Sequence, residues 1–178
     1  MSRIALVTGG SRGIGAAIST TLKDKGYTVA ATYAGNDEAA AKFTEETGIP
    51  SFKWSVADYD ACVDGIKAVE SKLGPVDVLV NNAAIFTTLE MKPFYSIDPV
   101  EWGEAINVNL NGVYACSRQV VDTMKENGFG RIINIGSAAV TMGRPNYTHY
   151  VASKSALIGM SRSMARELGS FGITVNTI

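Results

Sequence analysis

Six short apolar runs, each of four or five residues, alternate with longer amphipathic stretches along the whole 178-residue chain. The runs at 4–8, 28–32, 52–55, 76–80, 131–135 and 174–177 are mostly rich in valine and isoleucine and read as strands. The stretches at 13–25, 36–47, 58–72, 98–127 and 150–170 read as helices. Gly26, Gly48 and Gly128 stand where helix C-termini should stop, Asp58 and Asp98 where helices should be capped, and Pro99 in a first helical turn. Regular strand–helix alternation leaves one economical solution, since parallel strands need crossovers and the crossovers are helices. The expectation is an α/β protein with a doubly wound parallel sheet, covered on both faces. With no repeat, linker or low-complexity segment, residues 1–178 read as one domain.

Composition excludes several functions. Sixteen basic against seventeen acidic residues give a net charge of −1, so no basic stripe points to nucleic acid. The opening Met1-Ser2-Arg3 leads into an apolar run too short for a signal peptide or a membrane span, which reads as cytoplasmic. Cys62 and Cys116 lack metal-ligand spacing, and no metal site is expected. They read as buried thiols, with a disulfide as the alternative.

The first strand runs into Gly9-Gly10-Ser11-Arg12-Gly13-Ile14-Gly15, where a helix begins. Glycines there allow a tight turn and close approach of a pyrophosphate, while the helix N-terminus offers free N–H groups and a positive dipole end. A glycine-rich turn without a ligand is the plainer alternative. The spacing is GxxxGxG, unlike the common dinucleotide GxGxxG. At the end of the second strand an acidic side chain would grip an adenosine ribose, but Thr32-Tyr33-Ala34 occupies that place. Asp37 opens the next helix, and capping and dipole complementarity explain it. Arg12, in the loop itself, is suited to pairing with a 2′-phosphate; a solvated loop charge is the alternative. NADP(H) is therefore favoured over NAD(H).

The other polar residues gather beyond the later strands, where ligands of such sheets bind. Asn81-Asn82-Ala83 follows the fourth run and Ser137 follows the fifth. Asn109 falls inside a long helix, where asparagine is a poor helix former and needs a reason. Of seven tyrosines, Tyr150 alone has a lysine four residues on, Lys154. That spacing puts a phenol and an ammonium on one helix face, an arrangement that makes a tyrosine more acidic.

These residues together resemble the classical short-chain dehydrogenase/reductase family from Arg3 to Ile178. Thr8 to Gly15 is similar to its cofactor loop, Asn81-Asn82-Ala83 to its strand-four motif, and Asn109, Ser137, Tyr150 and Lys154 to its catalytic tetrad. The resemblance implies a Rossmann-type sheet ordered 3-2-1-4-5-6. It also implies that Tyr33, Ser55, Val56, Asn82, Ala83, Tyr150 and Lys154 meet the cofactor, along with Gly9, Ser11, Arg12, Gly13, Ile14 and Gly15. In these terms Ser137 hydrogen-bonds a substrate carbonyl and Tyr150 protonates it. Lys154 lowers the tyrosine pKa and holds the nicotinamide ribose, and Asn109 holds a water linking Lys154 to solvent. A dimer or tetramer is expected from the same source.

Within the family, the first 80 or so positions resemble acetoacetyl-CoA reductases, especially from Thr32 to Phe43. The segment from Ala138 to Asn146 is nearer to 3-oxoacyl-carrier-protein reductases, and Tyr147-Thr148-His149-Tyr150 is similar to secondary and aryl alcohol dehydrogenases. Ala84 stands for the usual glycine, and Ser55 for the usual acid or amide near the adenine. His149, the only histidine, reads as a pocket-wall or solvated residue. The chain ends where the family continues into a Pro-Gly motif, substrate-binding helices and a seventh strand, so an incomplete C-terminal part is expected. The leading expectation is NADPH-dependent reduction of a small carbonyl substrate, a 3-oxoacyl thioester such as acetoacetyl-CoA. A secondary-alcohol or sugar dehydrogenase, and a non-catalytic nucleotide-binding or oligomerisation module, are the alternatives.

Overall fold

The computed structural model describes residues 2–178. Its strands are β1 (Ile4–Val7), β2 (Thr28–Tyr33), β3 (Ser51–Lys53), β4 (Val78–Asn81), β5 (Gly130–Asn134) and β6 (Ile173–Thr177). They form one sheet in the order β3-β2-β1-β4-β5-β6, every neighbouring pair parallel. The crossovers are α1 (Gly13–Asp24), α2 (Asp37–Thr47), α3 (Tyr59–Leu73), α4 (Pro99–Ile106), α5 (Gly112–Glu126), α6 (Ala139–Met142) and α7 (Thr148–Leu168). No helix among the described residues is long and apolar enough to cross a membrane.

Alternation along the strands supplies a core to each face. The register aligns Ala30, Leu6, Leu79, Ile132 and Val175 in one row across five strands. That row packs with Ile66 and Val69 of α3 and Val120 and Met124 of α5. The residues that alternate with it, Ala5, Val7, Val78 and Val80, pack with Phe43, Ile49 and the partly buried Ile18 and Leu22 on the other face. Burying such side chains contributes about 1.5–3 kcal/mol each. Cys62 and Cys116 are free thiols in the first core, with Sγ atoms 3.7 Å apart, which removes the disulfide alternative.

Helix ends follow the expected chemistry in most places. Asp58 accepts from Ala61 N at 3.0 Å, Asp98 accepts from Val100 N at 2.7 Å beside Pro99, and Gly48 ends α2 in the left-handed region. Asp37 is not the cap of α2. Asn36 is, accepting from Ala39 N at 2.9 Å, while Asp37 begins the first turn.

Three further expectations need correction. The helix expected over 98–127 is two helices, α4 and α5, joined by a π-helical turn at Asn107–Asn111. The third strand ends at Lys53: Trp54 N still donates to Tyr33 O at 3.0 Å, but the side chains of Trp54 and Val56 turn into the core under α3 and α5. His149 is neither solvated nor in a pocket wall: it is 0% exposed.

Candidate active site

The carboxyl ends of β1 and β4 are tied into one floor. Thr8 Oγ1 accepts from the amides of Asn82 and Ala83, both at 3.0 Å, and Asn82 Nδ2 donates to Thr8 O at 2.9 Å and Gly9 O at 3.1 Å. On the other side Gly9 N donates to Thr32 Oγ1 at 3.1 Å. These bonds set the loop's shape, and two glycines let it take that shape. Gly9 has φ +61°, and a Cβ on Gly15 would run into the Gly9 carbonyl. Arg12, the residue before α1, gives no side-chain cap and is exposed, so the first N–H groups of the helix are left open.

This floor opens into a cavity of about 750 Å³. Gly9, Ser11, Arg12, Gly13, Ile14 and Gly15 line it, as do Tyr33, Ser55, Val56, Asn82 and Ala83. Tyr150 and Lys154 do not. The wall also contains Asn36, Trp54, Ile85 and Phe86, which sequence reasoning missed. Trp54 sits one residue beyond β3 and Phe86 in the loop after β4, where no periodic pattern marks a residue's direction. An uncapped helix N-terminus, a glycine cradle that a Cβ would fill, and a free guanidinium together fit a dinucleotide's pyrophosphate and a further phosphate. Asp37, beside Tyr33, is not free for a ribose. Lys53 pairs with it at 2.8 Å, and Lys53 and then Tyr33 hold its carboxyl below the usual range.

The tetrad residues lie on α7, on the loop after β5, and in the π turn. Asn109 is buried with its carboxamide engaged on two sides. Its oxygen accepts from Ile85 N at 2.8 Å, and its nitrogen donates to Ile85 O at 3.0 Å and Ser153 Oγ at 3.2 Å. Ser153 Oγ in turn donates to Tyr150 O at 2.7 Å. The asparagine that was a poor helix former thus serves as a bracket between the loop after β4 and the backbone of α7. The π turn is the local distortion that accompanies it.

Lys154 is 3% exposed and donates to Ile135 O at 2.8 Å. Burial lowers its pKa from 10.5 to about 8. Ser137, half-buried, accepts from Ala139 N at 3.2 Å, and with Lys154 it lines a second space of about 600 Å³ that Thr177 and Ile178 also wall. Tyr150, one turn before Lys154, is 9% exposed and packs against Phe86 with ring centroids 4.8 Å apart. Beneath these residues a buried polar chain crosses the strand ends. Asn81 bonds Asn134 at 2.9 Å, Asn134 bonds Ser161 at 2.9 Å, and Ser161 meets Thr177 at 2.7 Å.

A glycine-cradled loop after β1, a 3-2-1-4-5-6 sheet and a serine, tyrosine and lysine around the ends of β5 and α7 define a nicotinamide-dependent oxidoreductase. The family profile described as short chain dehydrogenase matches residues 3–178, and the chain belongs to that family. It is 52% identical over 178 residues to an acetoacetyl-CoA reductase of Rhizobium meliloti strain 1021, covering all of this chain and 73% of that protein. It is 43% identical over 184 aligned positions to the 3-oxoacyl-[acyl-carrier-protein] reductase FabG of Staphylococcus aureus strain Mu50, again covering all of this chain and 73% of the relative. Among solved structures, a blue fluorescent protein from a metagenomic library, in complex with NADPH, superposes with a TM-score of 0.90 at 38% identity. That match covers 98% of this chain and 72% of the other.

Proposed function

We propose that this chain is an NADPH-dependent ketone reductase acting on a 3-oxoacyl thioester, with acetoacetyl-CoA as the first compound to test. The observation that carries the reading is the buried Lys154, one turn from Tyr150, with its pKa lowered to about 8. An ammonium held out of water needs a use, and a neighbouring phenol that must give up a proton supplies one. The bound cofactor supplies the hydride. Ser137 donates a hydrogen bond to the substrate carbonyl oxygen, and Tyr150 delivers a proton to that oxygen. Lys154 stabilises the phenolate that remains and then helps to reprotonate it. Both amide hydrogens of Asn109 are taken, so the water expected between Asn109 and Lys154 must rest on Asn109 oxygens. Binding falls to Gly9, Ser11, Arg12, Gly13, Ile14 and Gly15 at the phosphates, with Tyr33, Ser55, Val56, Asn82 and Ala83 along the rest of the cavity.

NADPH rather than NADH is supported by the exposed Arg12 in the loop and by the engagement of Asp37 with Lys53. The NADPH complex of a similar protein agrees with this. The thioester substrate is supported by relatives named for it. We take residues 1–178, which span about 73% of the length of these relatives, as one Rossmann-type domain that works in the cytoplasm as a homodimer or homotetramer. Tyr150→Phe should keep NADPH binding while lowering acetoacetyl-CoA reduction by about 10²–10⁴-fold. Rates like those of the unaltered chain would refute the assignment. Cofactor binding without turnover on acetoacetyl-CoA, simple ketones or secondary alcohols would return the chain to the non-catalytic module.

A further inference from the structure

The loop between β4 and α4 is fastened to the start of α7 at a point the catalytic assignment does not use. Glu101, on α4, is the centre of the fastening. Its Oε2 pairs with Lys92 Nζ at 2.6 Å, and its Oε1 accepts from Glu90 N at 3.3 Å. Oε1 also lies 3.4 Å from Nε2 of His149, the residue before Tyr150. That approach is out of line, and neither ring nitrogen of the wholly buried His149 has a hydrogen-bond partner. A buried polar atom left so costs about 1–3 kcal/mol, a burden that a purely apolar side chain at this position would avoid. The loop is also stitched directly to the segment before α7, where Lys92 N donates to Asn146 O at 3.1 Å.

The parts joined in this way are the ones that would face a ketone. Leu89 of the loop, Ala105 of α4, Tyr147 just before α7 and Tyr150 within it make a small apolar cluster of their own, separate from the two cores of the sheet. Phe86 stacks on Tyr147 at 5.1 Å and leans on Tyr150 at 4.8 Å. Aromatic contacts of this kind fix spacing only while both supports hold still. Each support reaches Glu101, the loop through the Lys92 pair and the Glu90 amide, the helix through the 3.4 Å approach of His149 alone.

We propose that Glu101 is a positioning residue: with Lys92 and His149 it clasps the loop after β4 to the first turn of α7, keeping Phe86 and Tyr150 at the spacing that receives the ketone. The inference rests on Tyr150 being the proton donor. It assigns substrate placement to residues that touch neither the phosphate loop nor the reacting atoms.

The test uses Glu101→Gln, Lys92→Met and Lys92→Arg in the full 178-residue chain. Hydrogen exchange is followed by mass spectrometry in peptides covering 84–97 and 144–151. In Glu101→Gln and Lys92→Met both segments should exchange faster together, while Lys92→Arg keeps the protection of the unaltered chain. In steady-state reduction of acetoacetyl-CoA, the first two variants should raise KM about tenfold with kcat changed less than about threefold and NADPH affinity intact. A generally loosened fold would move NADPH affinity as well. Unchanged exchange in Glu101→Gln, or equal effects from the two Lys92 substitutions, overturns the clasp. If the unaltered chain reduces no ketone, the proton-donor reading fails by itself, and the exchange measurement still decides whether the clasp exists.

Discussion

Replacing Lys154 by methionine measures what the fold bears to keep an ammonium out of water. Burial lowers this lysine from 10.5 to about 8, a displacement worth on the order of 3 kcal/mol. Below about pH 8 both the folded and the unfolded chain carry the proton, and the folded state bears the full burden. Between about 8 and 10.5 the unfolded chain still holds a proton that the folded one has released, so stability rises with pH through that window. Lys154→Met removes this slope. It also strips Ile135 O of its 2.8 Å donor, at about 1–3 kcal/mol with no pH dependence. The two effects roughly cancel near neutrality and separate in base. Urea unfolding, followed by the fluorescence of Trp54 and Trp102, should find the two proteins within about 2 kcal/mol near pH 7. Near pH 10 the lysine protein should have gained on the order of 2–3 kcal/mol relative to the variant. Titrating groups remote from Lys154 drop out of the difference. Parallel stability curves across this range would refute the claim that Lys154 is held at a lowered pKa.

Further outcomes follow from the cofactor floor and the core. Arg12→Ala should weaken NADPH binding about 10–100-fold and leave NADH binding nearly unchanged, as measured by calorimetric titration. Gly15→Ala places a methyl against the Gly9 carbonyl and 2.6 Å from Asn82 Nδ2. It should abolish cofactor binding while circular dichroism stays close to that of the unaltered chain. Leu79→Ala empties the middle of the aligned row on a fully buried residue and should cost about 3–5 kcal/mol in urea unfolding.

What could be read from the sequence was whatever depends on local pattern. Strands β1, β4, β5 and β6 were legible because valine and isoleucine gather in them, and the glycine loop because only glycine fits Gly9 and Gly15. Lys154 and Tyr150 were legible because helical spacing is itself local. What escaped depends on partners far along the chain. His149 looked like a residue for a pocket or for water, and nothing near it predicts the burial that α4 imposes through Glu101. Trp54 lengthened the apparent third strand because an apolar residue just past its end is buried in the core with α3 and α5. Asn109 was flagged as an oddity in a helix, but its reason, both sides of Ile85, lies 24 positions upstream.

The π turn at Asn107–Asn111 carries a consequence for how this chain tolerates change in length. A π turn is a helix with one residue more than its span requires. Removing one residue there would restore ordinary pitch and leave α4 and α5 close to their present phase, because the surplus residue is what the wider turn absorbs. Ala105 would still face Tyr147 and Tyr150. Cys116, Val120 and Met124 would stay in the core shared with α3, and exposed Tyr114 would stay outside it. Deletion at these positions spares the phase of both helices but disturbs the placement of Asn109, whose carboxamide holds Ile85 and Ser153. Between α4 and α5 the chain is therefore forgiving in count and strict in spelling at Asn109.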